Sequence, residues 1–363
     1  MIFSTAPHYK SPRLEIHPAR IRENAASVLE LCASHGVDVA CVTKVASAHP
    51  AVVRAFLDAG CKMLADSRTE NLRAIREMGY KGPLMLLRLP APSRAQEVVE
   101  VADVSLVSAF ATMKSLSDAA GIVGRKHKGI LMVDVGDLRE GVWPDRAVAL
   151  AKESLELKNF ELVGLGCNLA CFGGVMPSLQ NMQQLVSLRN TCRNETGLEL
   201  PILSGGNSSG LPLLASGKLP KEINHFRIGE AIVLGRNVLD RSPWPGTRQD
   251  TFVAVAEILE VERKASVPIG NRGQDAFGGT EEFVERGNRM RAICNLGRQD
   301  VVVTGLEPAE KGIEVLGGSS DHLILDIEDC KRSLRVGDEI RFFPGYGALL
   351  ALATSPYVSK QVV

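Results

Sequence analysis

The sequence predicts an α/β chain: a TIM-type (β/α)8 barrel followed by a mainly β C-terminal domain. Three observations carry this. Between about residues 36 and 230, short apolar runs alternate with amphipathic stretches, the signature of repeated β/α units. After about residue 240 the amphipathic stretches give way to Val/Ile alternation and Gly turns, which reads as a β-barrel or sandwich. Polar and charged residues gather where the earlier runs end, and in a barrel those ends form one mouth.

In chain order, Leu14-Glu15-Ile16 reads as a short strand able to join the second domain, and Pro18–His35 as a helix. Barrel strands are expected at Val37–Thr43, Cys61–Ala65, Pro83–Leu89, Val104–Val107, Ile130–Val135, Leu162–Cys167, Leu200–Leu203 and Asn224–Ile228. Helices are expected at Ala51–Asp58, Arg68–Met78, Ala111–Val123, Arg146–Leu157, Leu179–Cys192 and Leu211–Gly217, where apolar residues recur at helical spacing. The turn Ser242-Pro243-Trp244-Pro245-Gly246 marks a boundary. The barrel is therefore expected over 12–238 and the second domain over 239–363, with 1–11 joining the latter. Its strands are expected at Thr251–Val261, Met290–Leu296, Val301–Thr304, His322–Ile327 and Glu339–Phe343, with no long amphipathic helix.

Forty-two basic residues balance forty-two acidic ones, so nothing favours nucleic acid or an anionic membrane as partner. No apolar stretch approaches the ~20 residues that span a bilayer, and MIFSTAPHYKSPR lacks the apolar region of a signal peptide. The eight cysteines form no disulfide framework. Cys32, Cys41, Cys61 and Cys294 lie in apolar settings where a reduced thiol behaves as a small hydrophobe. Cys167 and Cys171 have no second pair or nearby His at zinc-like spacing. These features point to a reduced cytoplasmic protein.

Lys44 ends the first barrel strand and precedes the small-residue turn Val45-Ala46-Ser47-Ala48. An amine at that place faces the barrel mouth, and desolvation there favours its neutral, nucleophilic form. Leu203-Ser204-Gly205-Gly206-Asn207-Ser208-Ser209-Gly210 follows a strand and precedes a helix. Its glycines let backbone approach an anion and its hydroxyls donate to it. There is no Walker lysine and no G-x-G-x-x-G, so a single phosphate fits better than a nucleotide. A lysine and a phosphate cradle on one mouth suggest pyridoxal phosphate (PLP).

These segments, in order, resemble the alanine racemase and ornithine decarboxylase-like group of PLP enzymes (fold type III), and over nearly the whole chain the ornithine racemases are the most similar family. Val39-Ala40-Cys41-Val42 with Thr43-Lys44 resembles the PLP-lysine strand. Asp134-Val135-Gly136-Asp137-Leu138-Arg139-Glu140-Gly141 resembles D-x-G-x-x-R-x-G, Asn207-Ser208 the phosphate-site N-S, and Arg227-Ile228-Gly229-Glu230-Ala231 the R-x-G-x-A segment. Ser319-Ser320-Asp321-His322 with Val336-Gly337-Asp338 is similar to the C-terminal MD…VGD region.

The resemblance implies roles. Lys44 is the Schiff-base lysine and one proton-transfer group. Asn207, Ser208, Gly229 and Glu230 hold the phosphate, with Tyr346 closing it from the second domain. Arg227 meets the pyridine nitrogen and, unable to give up its proton, leaves that nitrogen unprotonated. Asn168 stands where relatives carry a ring-stacking His, and Arg139 lies near the cofactor hydroxyl or the substrate carboxylate. Ser320, His322 and Tyr346 are candidates for the second proton-transfer group. Two departures matter. Ala46-Ser47-Ala48 replaces the phosphate-touching tyrosine of alanine racemases, and Ile269–Gly278 lacks their second catalytic tyrosine. Asp275 and Asp321 instead match aspartates that hold the distal ammonium of ornithine. The plainer alternative has Asp275 capping a turn and Asp321 starting a strand.

The favoured expectation is an amino-acid racemase with ornithine as substrate, working as a homodimer whose sites are shared between subunits. A basic amino-acid decarboxylase and a non-catalytic PLP carrier are the alternatives. Serine at position 320, where decarboxylases carry a cysteine, counts against the first. The long β-rich C-terminal part counts against the second.

Overall fold

The computed structural model describes residues 10–280 and 282–363 and divides into two compact units. One is Pro18–Gln249. The other is Asp250–Val363 together with the described residues up to His17. The barrel unit thus begins at 18 rather than 12 and ends at 249 rather than 238. Most of the expected joining segment, residues 1–9, lies outside the described residues.

The strand β1 (Arg13–Ile16) belongs to the second unit and is taken up with it below. The barrel strands are β2 (Asp38–Val42), β3 (Met63–Asp66), β4 (Leu84–Leu86), β5 (Val104–Val107), β6 (His127–Met132), β7 (Phe160–Gly166), β8 (Ile202–Ser204) and β9 (His225–Ile228). They run parallel and close in sequence order, with β9 pairing back onto β2. Ala40, Val42, Ala65, Met85, Val104, Leu106, Ile130 and Met132 pack together in the interior. They alternate along their strands with residues that face the helices, as the strand period of two requires.

The surrounding helices are α1 (Pro18–Ser34), α2 (Pro50–Asp58), α3 (Thr69–Glu77), α4 (Ala95–Val101), α5 (Phe110–Ile122), α6 (Ala147–Ser154), α7 (Leu179–Thr196), α8 (Leu211–Ala215) and α9 (Glu230–Val233). Local chemistry sets their ends. Pro50 occupies the first turn of α2, where its missing N–H costs nothing. Ser178 and Asn181 form a reciprocal capping box on α7, and Gly197 ends it at φ 72°. The valine-rich α4 was not expected: AQEVVEV carries β-branched residues that favour strands in isolation.

In the second unit, β10 (Phe252–Ala265) is the spine. Around it lie β11 (Asn288–Cys294), β12 (Leu306–Pro308), β13 (Glu314–Gly318), β14 (Leu323–Asp326), β15 (Glu339–Pro344), the helix α10 (Tyr346–Thr354) and β16 (Ser359–Val362). The sheet order is β12-β15-β10-β11-β14-β13, and β1 pairs with β10 and β16. Burial of Leu14 and Ile16, together with the ion pairs of Arg13 to Glu15 and Glu339, fixes β1 here.

One expected strand is absent, and one short apolar helix was not foreseen. Val301–Thr304 is not a strand: its end forms the 3-10 turn Val303–Gly305, and the amides of Asp300 and Val301 turn back onto the Gly297 carbonyl. The helix α10 escaped notice because YGALLALAT has no polar face to give it a period.

Two histidines of the barrel are buried neutral. His225, bonded to the Ser204 hydroxyl at 2.9 Å, is pulled down to about 3 by burial and then by the Arg227 charge. His127, bonded to the Ser105 hydroxyl at 2.8 Å, is pulled down to about 4, again chiefly by burial. Each imidazole takes up its proton near 6.5 when unfolded but resists it when folded, so the unfolded state gains protons first as pH falls. Stability is expected to be level above pH ~7 and to fall steadily from about 6.5 toward 4, by a few kcal/mol. Urea denaturation at stepped pH measures this, and His225→Asn combined with His127→Asn should flatten the slope.

Candidate active site

Ala40 and Val42 point into the barrel, and the same alternation brings Lys44 to the mouth, half-buried, in a 3-10 turn that begins where β2 ends. Beneath the turn the buried Asp66 carboxylate accepts from the Thr43 hydroxyl at 2.6 Å, from the Arg68 amide and from Asn71. Burial nonetheless pushes its pKa up. Asp66 therefore braces the strand end from behind.

The neighbouring strand end carries Arg227, Gly229 and Glu230. Register pairs Ala40 with Arg227 and Cys41 with Ile228. A Cβ on Gly229 would lie 2.9 Å from Val42 Cβ and 3.0 Å from its carbonyl oxygen, so only glycine permits this approach. Close packing here brings the lysine near the first turn of α9. Burial raises the pKa of Glu230, and the charges of Arg241 and Lys44 oppose that rise. The Ser208 hydroxyl accepts from the Ala231 amide at 3.2 Å and joins this turn to the 3-10 turn Ser208–Gly210.

Arg227 is buried and held from below. It donates to the Ser204 hydroxyl and, at 2.7 Å, to the Cys167 carbonyl. The same serine hydroxyl also bonds to His225 Nδ1. Burial lowers the arginine's pKa, yet a guanidinium stays charged.

Asn207 donates to Asn168 Oδ1 at 3.1 Å and to the Leu169 carbonyl at 2.9 Å, and its own oxygen caps the Ser209 amide at 2.7 Å. Asn168 is buried, and its Nδ2 has no protein partner among the described residues.

The loop after β6 folds back on itself: Val142 donates to the Met132 carbonyl and Asp134 to that of Val142. A Cβ on Gly141 would lie 2.5 Å from the Asp134 nitrogen. Asp137, almost fully buried, accepts from the amides of Cys171, Phe172 and Val175 and so staples the loop after β7 to the loop after β6. Leu138 and Ala170, on the two stapled loops, have positive φ of 54° and 52°. Arg139 pairs with Glu140 and donates to Cys171 Sγ.

In the second unit, Ser319–His322 form the hairpin turn between β13 and β14. Ser319 donates to the His322 carbonyl and His322 to the Ser319 hydroxyl. Ser320, Asp321 and His322 are exposed at this tip. The Ser319 and Ser320 carbonyls accept from the Arg298 and Gln299 amides. Asp275 accepts from the Phe277 and Gly279 amides, which hold its carboxyl below the usual range. It also lies 3.7 Å from Arg298, whose guanidinium stacks 4.5 Å from the Phe277 ring. Asp275 thus does cap a turn, and Arg298 links it to the segment under the Asp321 tip. Tyr346 is the first residue of α10 and is half-buried.

One mouth therefore unites Lys44, Arg139, Asn168, Asn207, Ser208, Arg227, Gly229 and Glu230. Sequence reasoning gave no individual role to Thr43, Ser204, His225 or Arg298, which bond to Asp66, Arg227, Ser204 and Asp275 respectively. The inward alternation of His225 with Arg227 was the available signal for one of them.

Residues 16–237 match the family of the alanine racemase N-terminal domain. The chain is 41% identical to a lysine racemase of Thermotoga maritima, over 96% of this chain and 98% of that one. The chain belongs to the alanine racemase family. It is also 39% identical to an ornithine racemase of Acetoanaerobium sticklandii, covering 97% of this chain and 99% of that one. Among solved structures, the alanine racemase of Streptomyces lavendulae superposes with a TM-score of 0.73 at 19% identity, over 98% of both chains. That of Bacillus anthracis gives 0.74 at 16%, over 99% and 96%. These structures share the fold, and the chain is an amino-acid racemase, an isomerase. No helix among the described residues is long and apolar enough to cross a membrane.

Asp137→Ala removes the acceptor of three amides, each of which then loses about 1–3 kcal/mol of protection. Hydrogen exchange at the Phe172 and Val175 amides is expected to quicken roughly 10–100-fold, while the capped start of α7 at Asn181 keeps its rate.

Proposed function

We propose that this chain racemises a diamino acid, ornithine by preference, with PLP as cofactor. The observation that carries the reading is the contact of the two strand ends: the lysine turn after Val42 packs directly on the Gly229–Glu230 turn, so an amine and an anion cradle share one wall of the mouth. The side chains fit the group. First-turn amides and the Ser208 hydroxyl suit a phosphate. The unpartnered Asn168 amide suits the face or hydroxyl of a polar ring, and the buried Arg227 suits its nitrogen.

When bound, PLP makes the substrate's Cα–H acidic by drawing its electrons into an extended π-system. The residues do the rest. Lys44 holds the cofactor and moves a proton at one face of Cα. Arg227, braced by Ser204 and the Cys167 carbonyl, keeps its proton and so limits how much charge the ring accepts, which favours proton return over transamination. Arg139 meets the substrate carboxylate or the cofactor hydroxyl. The second proton-transfer group comes from the tip that carries Ser320 and His322, and Tyr346 closes the phosphate. An imidazole is the stronger acid–base group near neutral pH, which favours His322 over Ser320.

Asp275 and Asp321 read the distal ammonium, since paired carboxylates give a cation fixed acceptors. The relatives named for lysine and ornithine support a side chain ending in an amine. The reading also takes the enzyme as a cytoplasmic homodimer with shared sites. Leu138, Phe172 and Met176 are exposed on the loops after β6 and β7, and Leu179 at the start of α7, an apolar rim suited to a second copy.

Lys44→Ala is expected to abolish racemisation and the visible absorbance of bound PLP. Mixed and exchanged with Asp321→Asn homodimers, it should regain about a quarter of the sites, and no recovery despite proven exchange would place each site within one chain. Asp275→Asn and Asp321→Asn should each lower kcat/KM for ornithine roughly 100-fold while leaving norvaline, which lacks the terminal amine, within a few-fold. Equal losses on both substrates would assign the two carboxylates to the chemistry or the fold instead.

A further inference from the structure

The mouth carries two guanidiniums, Arg139 and Arg227, and they are held differently. Arg227 is fixed by neutral groups inside the barrel. Arg139 stands on a loop with a side chain 38% exposed, and a long exposed arginine loses much rotamer entropy on being fixed. One acid supplies that constraint. Glu140 accepts from Arg139 Nε and Nη2 in a side-on fork, and Cys171 Sγ takes a donor of Nη1. A guanidinium has five N–H donors, so this arrangement leaves one N–H on each Nη for a ligand.

Glu140 is only 14% exposed, although it is a neighbour in sequence of the arginine it holds. The other acids of this loop are committed elsewhere. Asp134 accepts from the amides of Gly136 and Leu138, and Asp137 from those of Cys171, Phe172 and Val175. Neither can replace it. Glu140 also acts electrostatically on Arg227 across the mouth, where Arg139 opposes it. Its carboxylate thus lies within electrostatic reach of both cations.

We propose that Glu140 is the positioning residue for Arg139: it locks the guanidinium so that the remaining N–H groups face the reacting amino acid and keeps the two arginines from repelling one another. The kinetic consequence rests on the racemase reading above. The lock itself does not.

Two measurements separate these. In the apoenzyme, phenylglyoxal labelling of Arg139, mapped by mass spectrometry, should quicken several-fold in Glu140→Gln, because the fork no longer shields the guanidinium. An unchanged rate overturns the proposal whatever the protein catalyses. In the holoenzyme, Glu140→Gln should lower kcat/KM for ornithine roughly 10–100-fold with an unchanged Tm. In an Arg139→Lys background the same change should cost less than about twofold, since residues acting as one unit are not additive. Glu140→Asp, which keeps the charge, should recover part of the loss. Additive losses, or a loss that tracks a fall in Tm, overturn the positioning role. Wild-type protein that racemises no diamino acid would defeat the parent reading and leave the labelling result standing.

Discussion

The pairing of β9 with β2 is the constraint on which the rest depends. A parallel barrel has no free edge only if its last strand returns to its first, and here that closure happens at the chemistry. Because Gly229 lacks a Cβ, its turn settles against Val42, and the residues on either side of the seam become neighbours. Lys44, from the start of the barrel, then stands beside Glu230, from its end, although 186 positions separate them in sequence. Everything else at the mouth is arranged around that seam. Arg227 stands on β9 two residues before Gly229, Ser208 is tied to the seam through the Ala231 amide, and Asp66 supports it from the helix side.

Much of this was legible in the sequence because it rests on local pattern. The eight barrel strands fall where apolar runs end in polar residues, and their inward alternation alone aims Lys44 at the mouth. Lys44, Asn168 and Arg227 stand at or beside strand ends, whereas Arg139, Asn207 and Ser208 lie on the loops beyond, where the family resemblance rather than strand period singled them out. What the pattern hid was interaction between elements. Ser204 and His225 are unremarkable along the chain and matter only because adjacent strands bring them under Arg227. The brace from Thr43 to Asp66 likewise exists only in register. In the second unit, Val301–Thr304 has the composition of a strand, but a tight turn at Gly297 draws its start away from any partner. The helix α10 is apolar on all sides, so no period announced it. The bland reading of Asp275 as a turn cap proved structurally correct, and it leaves one carboxylate oxygen directed toward Arg298.

The two sets of candidate residues differ in how they are held. On the barrel, Asp137, Arg139, Asn207 and Arg227 are each held by further polar groups. At the hairpin tip, Ser320, Asp321 and His322 are exposed, and their backbone rather than their side chains is fixed.

The staple formed by Asp137 has a further consequence. It holds two mouth loops that each contain a residue other than glycine in the left-handed region, Leu138 and Ala170, a conformation costing on the order of 1 kcal/mol or more. The chain meets that cost, and the entropy of ordering both loops, when it folds. A ligand entering the mouth finds the loops already in place and loses little affinity to arranging them. Binding strength at this site is therefore partly stored in the free protein, as folding stability given up in advance.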